Sequence, residues 1–205
     1  MDRLTLYSDY VCPFCYLGRK SLDRYQQRRE QPIEIDWQPF DLRAQKRGPD
    51  GEIDESVDDG KDEAYFEQAR QNVQRLADRY DADMALDLSR DIDSLNAQLA
   101  SYHVKQAHSY EQWLAFDIAI LDALWEDGRD IGDPDVLAEL AADVDIDPGE
   151  IRTAIEDETL FATVTDLFEA AHQRGVTGVP TFEYDGDSAR GAVPPEQLQR
   201  LIEGV

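Results

Sequence analysis

Between Arg3 and Pro39 the hydrophobic period changes twice, and no other feature of the chain constrains its fold so tightly. Arg3–Ser8, "RLTLYS", alternates apolar and polar residues, the period-2 pattern of a half-buried strand. From Pro13 the period lengthens: Phe14, Leu17, Leu22 and Tyr25 fall at helical spacings amid Arg and Lys. That pattern fades by Glu30-Gln31-Pro32, and Ile33-Glu34-Ile35-Asp36-Trp37 alternates again up to Pro39. Strand, helix, strand in quick succession is a βαβ unit. Its strand-to-helix junction is "YVCPFCY", Tyr10–Tyr16, which holds the chain's only two cysteines, Cys12 and Cys15.

The acidic, Gly-rich stretch from Gly48 to Asp62 reads as an exposed loop. A long helical region follows, over roughly residues 60–174. Tyr65, Phe66, Ala69, Val73, Leu76, Ala77 and Tyr80 form one apolar stripe. Ser109-Tyr110-Glu111-Gln112 is a capping-box pattern. It opens Trp113–Trp125, apolar almost all round and so expected to be a central buried helix. Asp133-Pro134 and Asp147-Pro148 each set an N-cap before an N1 proline. A further helix near Leu160–Arg174 stops at Gly175. The tail returns to β: Thr181–Tyr184 alternates, Asp185-Gly186 is a hairpin turn, Ser188–Gly191 can pair back, and Pro194-Pro195-Glu196 opens a short helix. The expected organisation is an α/β domain over 1–59 and 175–205 around a helical insertion over 60–174.

Acidic residues outnumber basic ones 45 to 20, for a formal net charge of −25 spread along the chain. Spread charge describes a solvated surface and argues against nucleic acid or an anionic membrane as a partner. Lysine is nearly absent, with Lys20, Lys46, Lys61 and Lys105 the full set. Many carboxylates beside few lysines fit a protein adapted to molar salt, where screening over about 3 Å relieves self-repulsion. Met1-Asp2-Arg3 leads into the first strand without an apolar signal segment, and no apolar run approaches the roughly 20 residues of a membrane helix. The expected location is the cytoplasm.

A Cys-x-x-Cys pair at a helix start has three chemical readings. Half a zinc site would need about two more ligands, and the chain's histidine candidates are His103, His108 and His172 alone. A static disulfide closing so small a loop would stabilise little, and a cytoplasm is reducing. Thiol chemistry is the reading best suited to the position. Unpaired N–H groups and the positive dipole end of the first turn favour a thiolate at Cys12. Pro13 suits N1, and Cys15, about one turn on, can close a disulfide or resolve a mixed one. Asp9 and Asp41 lie in segments near the motif and are read as solvated surface acids, with proton acceptance for Cys15 the alternative. Tyr10, Phe14 and Trp37 could rim the pair, although strand alternation sets Trp37 with Ile33 and Ile35 in the core. In "GVTGVPTF", Gly175–Phe182, Pro180 opens a strand and is by composition an ordinary loop proline.

Taken together, "SDYVCPFCYLGRKSLDR", "WQPFDL", "DPDVLAELAADVDID" and "GVTGVPTF" resemble the thioredoxin fold as elaborated in the DsbA family, within it the FrnE-like subgroup of cytosolic oxidoreductases. The resemblance spans nearly the whole chain. It implies a thiol–disulfide oxidoreductase with Cys12 as nucleophile and Cys15 as resolving thiol. Pro180 would be the cis-proline beside the pair, and the Val179 backbone would bond an extended substrate. Pro13, Phe14 and Val179 are then the candidate substrate-binding residues. Protein or small thiols and disulfides are the expected partners, with no metal and no dissociable cofactor. The pair between the cysteines is Pro-Phe rather than the Pro-His of periplasmic DsbA, which implies a weaker oxidant. The subgroup's Asn-x-x-x-Ala-His pattern is matched at Asn96 and Ala100, but Ser101 replaces the His.

A neighbouring branch, the 2-hydroxychromene-2-carboxylate isomerases and kappa-class glutathione transferases, shares this architecture. Its members usually carry Ser where Cys12 stands and activate bound glutathione, which Arg43 and Arg47 could hold here. That glutathione-dependent activity and an inert binding module are the rival expectations.

Overall fold

The computed structural model describes residues 2–58, 60–85 and 92–204. The elements are β1 (Arg3–Ser8), α1 (Pro13–Gln26), β2 (Glu34–Pro39), α2 (Glu63–Tyr80), α3 (Leu95–Ala107), α4 (Tyr110–Trp125), α5 (Pro134–Ala142), α6 (Pro148–Ile155), α7 (Glu158–Gln173), β3 (Thr181–Tyr184), β4 (Asp187–Arg190) and α8 (Pro195–Glu203). The expected βαβ, helices, ββα order is present. The chain divides into two compact units, one of Met1–Ala82 with Ala171–Val205, the other of Asp83–Ala170.

The first unit holds a four-stranded sheet in the order β2-β1-β3-β4. β1 runs parallel to β2 and antiparallel to β3, which is antiparallel to β4. Leu6 pairs with Trp37 on one side and Phe182 on the other, and Phe182 pairs with Ala189. Side chains alternate faces along a strand, so these four form one apolar row across the sheet, and all are buried. Tyr7, on the opposite face, packs with Phe40, Ala171 and Val176. The β3–β4 turn is tight because Asp185 (φ 49°) and Gly186 (φ 91°) both take positive φ, as the Asp-Gly pair predicts.

This topology brings three loops to one end of the sheet. The chain leaves β1 after Ser8 and β2 after Pro39, and these residues pair in register. β3 runs the other way and is entered just before Thr181, which pairs with Tyr7. The cysteine segment, the turn after β2 and the 178–180 peptide therefore share that end.

The helical unit is shorter than the sequence-based range of 60–174, because α2 belongs with the sheet. Tyr80, buried at its end, donates to the Ala192 carbonyl at 2.9 Å, and Arg24 of α1 donates to the Tyr80 carbonyl at 2.5 Å. Only Val73, Ala77 and Tyr80 of the predicted stripe are buried, and Tyr65 is 51% exposed. Asp59, at the expected boundary, and 86–91, in the expected helical stretch, lie outside the described residues.

In the Asp83–Ala170 unit the predicted caps form: Ser109 accepts from Gln112 N–H, Asp133 from Asp135 and Asp147 from Gly149. α4 is buried along a broad face including Trp113, Phe116, Ile120 and Leu124, but Ala115 and Ile118 are exposed, so it is not enclosed all round. Ser101 accepts a 3.1 Å bond from the Trp113 indole. His103 and His108 meet one oxygen of Glu150, at 2.6 and 2.8 Å, and hold its carboxyl below the usual range.

Candidate active site

Cys12 is the N-cap of α1, in extended geometry (φ −89°, ψ 113°), and Pro13 occupies the first turn as predicted. The Cys12 carbonyl accepts from the N–H of Cys15 (2.9 Å) and Tyr16 (3.3 Å), which starts the helix. The Cys12 N–H donates to the Asp9 carbonyl at 3.1 Å, closing the turn out of β1. Both cysteines are free thiols and nearly inaccessible, 4% exposed at Cys12 and 2% at Cys15.

The two thiols sit in unlike surroundings. The Cys12 thiol donates to the Val179 carbonyl at 3.6 Å. Burial pushes the Cys15 thiol well above the ordinary thiol range, and the neighbouring Cys12 pushes the same way. The Ser8 hydroxyl and the Asp9 N–H bond the Cys15 sulfur and pull in the opposite direction. Cys15 thus keeps its proton and shares it toward Cys12, while two donors stand ready for its charged form.

Two buried carboxylates, Asp9 and Asp41, hold the turns on either side of the pair. Asp9 and Asp41 are not solvated surface acids: they are 0% and 2% exposed. Asp9 accepts from Val11 N–H (3.2 Å) and Leu42 N–H (2.9 Å), tying the cysteine turn to the turn after β2. Asp41 receives Nε and Nη2 of Arg47 at 2.6 and 3.3 Å and Arg43 N–H at 2.8 Å. Arg47 also donates to the Gly51 carbonyl at 2.7 Å, and an isolated bridge pairs Arg47 with Ile53. Part of the expected open loop is therefore a small built hairpin, and Arg47 is engaged by Asp41 rather than presented to an anion.

The 178–180 peptide closes the site. The Val179–Pro180 bond is cis. The Val179 side chain packs against the Tyr7, Phe40, Ala171 and Val176 cluster. Thr181 Oγ1 donates to the Gly178 carbonyl at 2.7 Å, and Gly191 N–H to that of Pro180 at 2.8 Å. Pro13, Phe14 and Val179 are half-buried around the cysteines. Tyr10 and Trp37 are core, with ring centroids 5.7 Å apart, rather than rim.

The structure thus gathers Cys12, Pro13, Phe14, Cys15, Val179 and Pro180 at one end of the sheet. It adds Ser8 and Gly18, which the sequence reading passed over. Gly18 carried a signal, since a glycine inside a helix needs a packing reason. Ser8 carried none, because nothing in the chain marks which residue a buried thiol will meet. Among the described residues no group of three or more His, Cys, Asp or Glu is placed to hold a metal ion.

Solved structures share this architecture. A probable DsbA oxidoreductase of Streptomyces coelicolor superposes with a TM-score of 0.78 at 23% identity, over 100% of this chain and 89% of that one. A 2-hydroxychromene-2-carboxylate isomerase gives 0.77 at 18%, over 97% and 92%. The cytosolic disulfide reductase DsbM of Pseudomonas aeruginosa, solved with GSH, gives 0.60 at 20%, over 97% and 92%. At these identities the likeness establishes the fold. The DSBA-like thioredoxin domain model matches residues 3–203, nearly the whole sequence, and the chain belongs to that family.

Proposed function

We propose that the chain is a thiol–disulfide oxidoreductase acting through Cys12 and Cys15. The observation that carries this is the asymmetry of the pair: Cys12 caps α1 against the Val179 carbonyl, while Cys15, one turn on, is buried and proton-retaining. In the reducing direction, the Cys12 thiolate attacks one sulfur of a substrate disulfide. A Cys12–substrate disulfide forms, and the other substrate sulfur leaves as thiolate and takes a proton. Cys15 then gives up its proton, with Ser8 and Asp9 N–H bonding the developing charge, and attacks the Cys12 sulfur. The products are a Cys12–Cys15 disulfide and a second substrate thiol: two electrons pass from the pair to the substrate. The oxidising direction is the reverse.

Substrates are thiol- or disulfide-containing proteins or small molecules. The Val179 backbone, beside Cys12 and before Pro180, is the docking edge for an extended segment, and Pro13 and Phe14 flank the sulfur. No dissociable cofactor enters these steps; glutathione, present in the DsbM structure, is a candidate co-substrate. The cytoplasm, with its glutathione pool, is the proposed location, prompted by the cytosolic DsbM, which shares this fold. A glutathione-dependent isomerase or transferase is the second reading, prompted by the isomerase fold. The thiol at Cys12 and the engagement of Arg47 by Asp41 weigh against it.

The test is the Cys12–Cys15 equilibrium in graded glutathione and dithiothreitol buffers, in high salt, with thiols trapped and counted by mass. Fast exchange at a potential between about −270 and −120 mV, on the reducing side of DsbA, is expected. Cys12→Ser abolishes exchange and Cys15→Ser accumulates mixed disulfides. A pair that stays reduced in every buffer overturns the proposal, and saturable glutathione binding by Cys12→Ser would then favour the second reading.

A further inference from the structure

Gly18 lies in the middle of α1 and is buried. Its φ is not in the left-handed region, so the backbone alone would accept any residue. A glycine there weakens the helix relative to alanine. The space around it supplies the reason. A Cβ at Gly18 would stand 2.9 Å from Pro180 Cγ and 3.3 Å from Phe182 Cζ. The proline ring rests directly on the helix backbone.

An added methyl could be relieved in three ways, and two are blocked. α1 cannot back away without unpacking Cys15, Leu22 and Tyr25, buried three back and four and seven ahead on the same face, and breaking the 2.6 Å bond from Ser21 to the Val193 carbonyl. β3 cannot back away because it is hydrogen-bonded to β1 and β4, with Phe182 fully buried between them. The 178–180 peptide, held by single hydrogen bonds at the Gly178 and Pro180 carbonyls rather than by strands on both sides, is the part that yields. When Pro180 lifts from α1, the adjoining Val179 carbonyl is drawn off the Cys12 sulfur, now 3.6 Å away.

We propose that Gly18 is a positioning residue: by lacking a side chain it lets Pro180 lie against α1 and so sets the height of the Val179 peptide over Cys12. Gly18 acts through Pro180 and not on a sulfur. This inference rests on the oxidoreductase reading above. Exchange requires the attacking, central and leaving sulfurs in line. A peptide held on the Val179 backbone depends on that height, whereas a small disulfide aligns itself. A misplacement near 1 Å can cost on the order of a hundredfold in rate.

The experiment compares Gly18→Ala with wild type on two substrates, a short extended peptide containing a disulfide and hydroxyethyl disulfide. Expected is a loss of about ten- to a hundredfold in kcat/KM for the peptide and less than about threefold for the small disulfide. The Pro180→Ala background supplies the control, because it removes the ring atom that the new methyl meets. There Gly18→Ala should change peptide exchange by less than about twofold. Should Gly18→Ala alone fail to fold, the double variant should fold and exchange as Pro180→Ala does. Equal losses on both substrates, wild-type rates on both, or a double variant well below Pro180→Ala would each overturn the role of Gly18 and leave the oxidoreductase reading standing. A wild-type chain that exchanges neither substrate would overturn both.

Discussion

Ser8 and Cys15 show how much of the chemistry turns on single contacts. In the proposed mechanism Cys15 ionises while buried, and the Ser8 hydroxyl is a side chain whose bond lowers that barrier. A hydrogen bond to a charged group is worth about 1.5–3 kcal/mol, so Ser8→Ala should slow resolution of a Cys12 mixed disulfide by roughly ten- to a hundredfold. It should also move the pH profile of that step to higher pH, because removing a donor to the thiolate raises an already raised pKa. Stopped-flow release of a chromogenic thiol from the mixed disulfide measures both, and an unmoved profile would contradict the assignment. The placement of Cys12 at a helix start with Cys15 one turn on was legible in the sequence, as helix-start position and spacing are local properties. The burial of Asp9 and Asp41 was not, in so acidic a chain. Burial belongs to the packed surroundings, and the turn that covers Asp9 begins 33 residues later.

Among the elements, α1 carries the site: it presents Cys12 at its N-terminus, Cys15 on the next turn and Gly18 against Pro180. The turn after β2 supports it through Asp9–Leu42 and through the Asp41–Arg47 pair, whose side chains are 1% and 6% exposed. Removing one partner of a buried pair strands the other charge. Arg47→Met should therefore cost about 3–5 kcal/mol in urea unfolding. The Asp41→Asn, Arg47→Met double variant should cost less than Arg47→Met alone; an additive pair would deny the coupling. Helix and strand periods, caps and the Asp-Gly turn were readable because each depends on near neighbours in sequence. The exposed first half of α2 was not, since an apolar stripe states what a helix could bury and not how much is covered.

At the scale of the whole molecule, 45 acidic against 20 basic residues set the physics of the surface. The salt bridges at Arg28–Glu196 and Arg152–Asp135 are exposed pairs of little individual worth, so net repulsion prevails over them. Thermal unfolding should shift upward with KCl, most steeply between 0.1 and 1 M, where the screening length falls from about 10 Å to about 3 Å. A midpoint indifferent to salt would count against adaptation to molar salt. Period, capping, turn chemistry and the Cys-x-x-Cys spacing are local, and from them the sequence by itself determined a βαβ start, a helical middle, a ββα end and a cysteine pair at the first helix's start. Only the tertiary structure decided that α2 joins the sheet-bearing unit, that Asp9 and Asp41 lie inside, that Val179 and Ser8 meet the two cysteines, and that Gly18 meets Pro180. Those outcomes depend on contacts between residues as many as 167 apart, and such contacts exist only once the strands have paired.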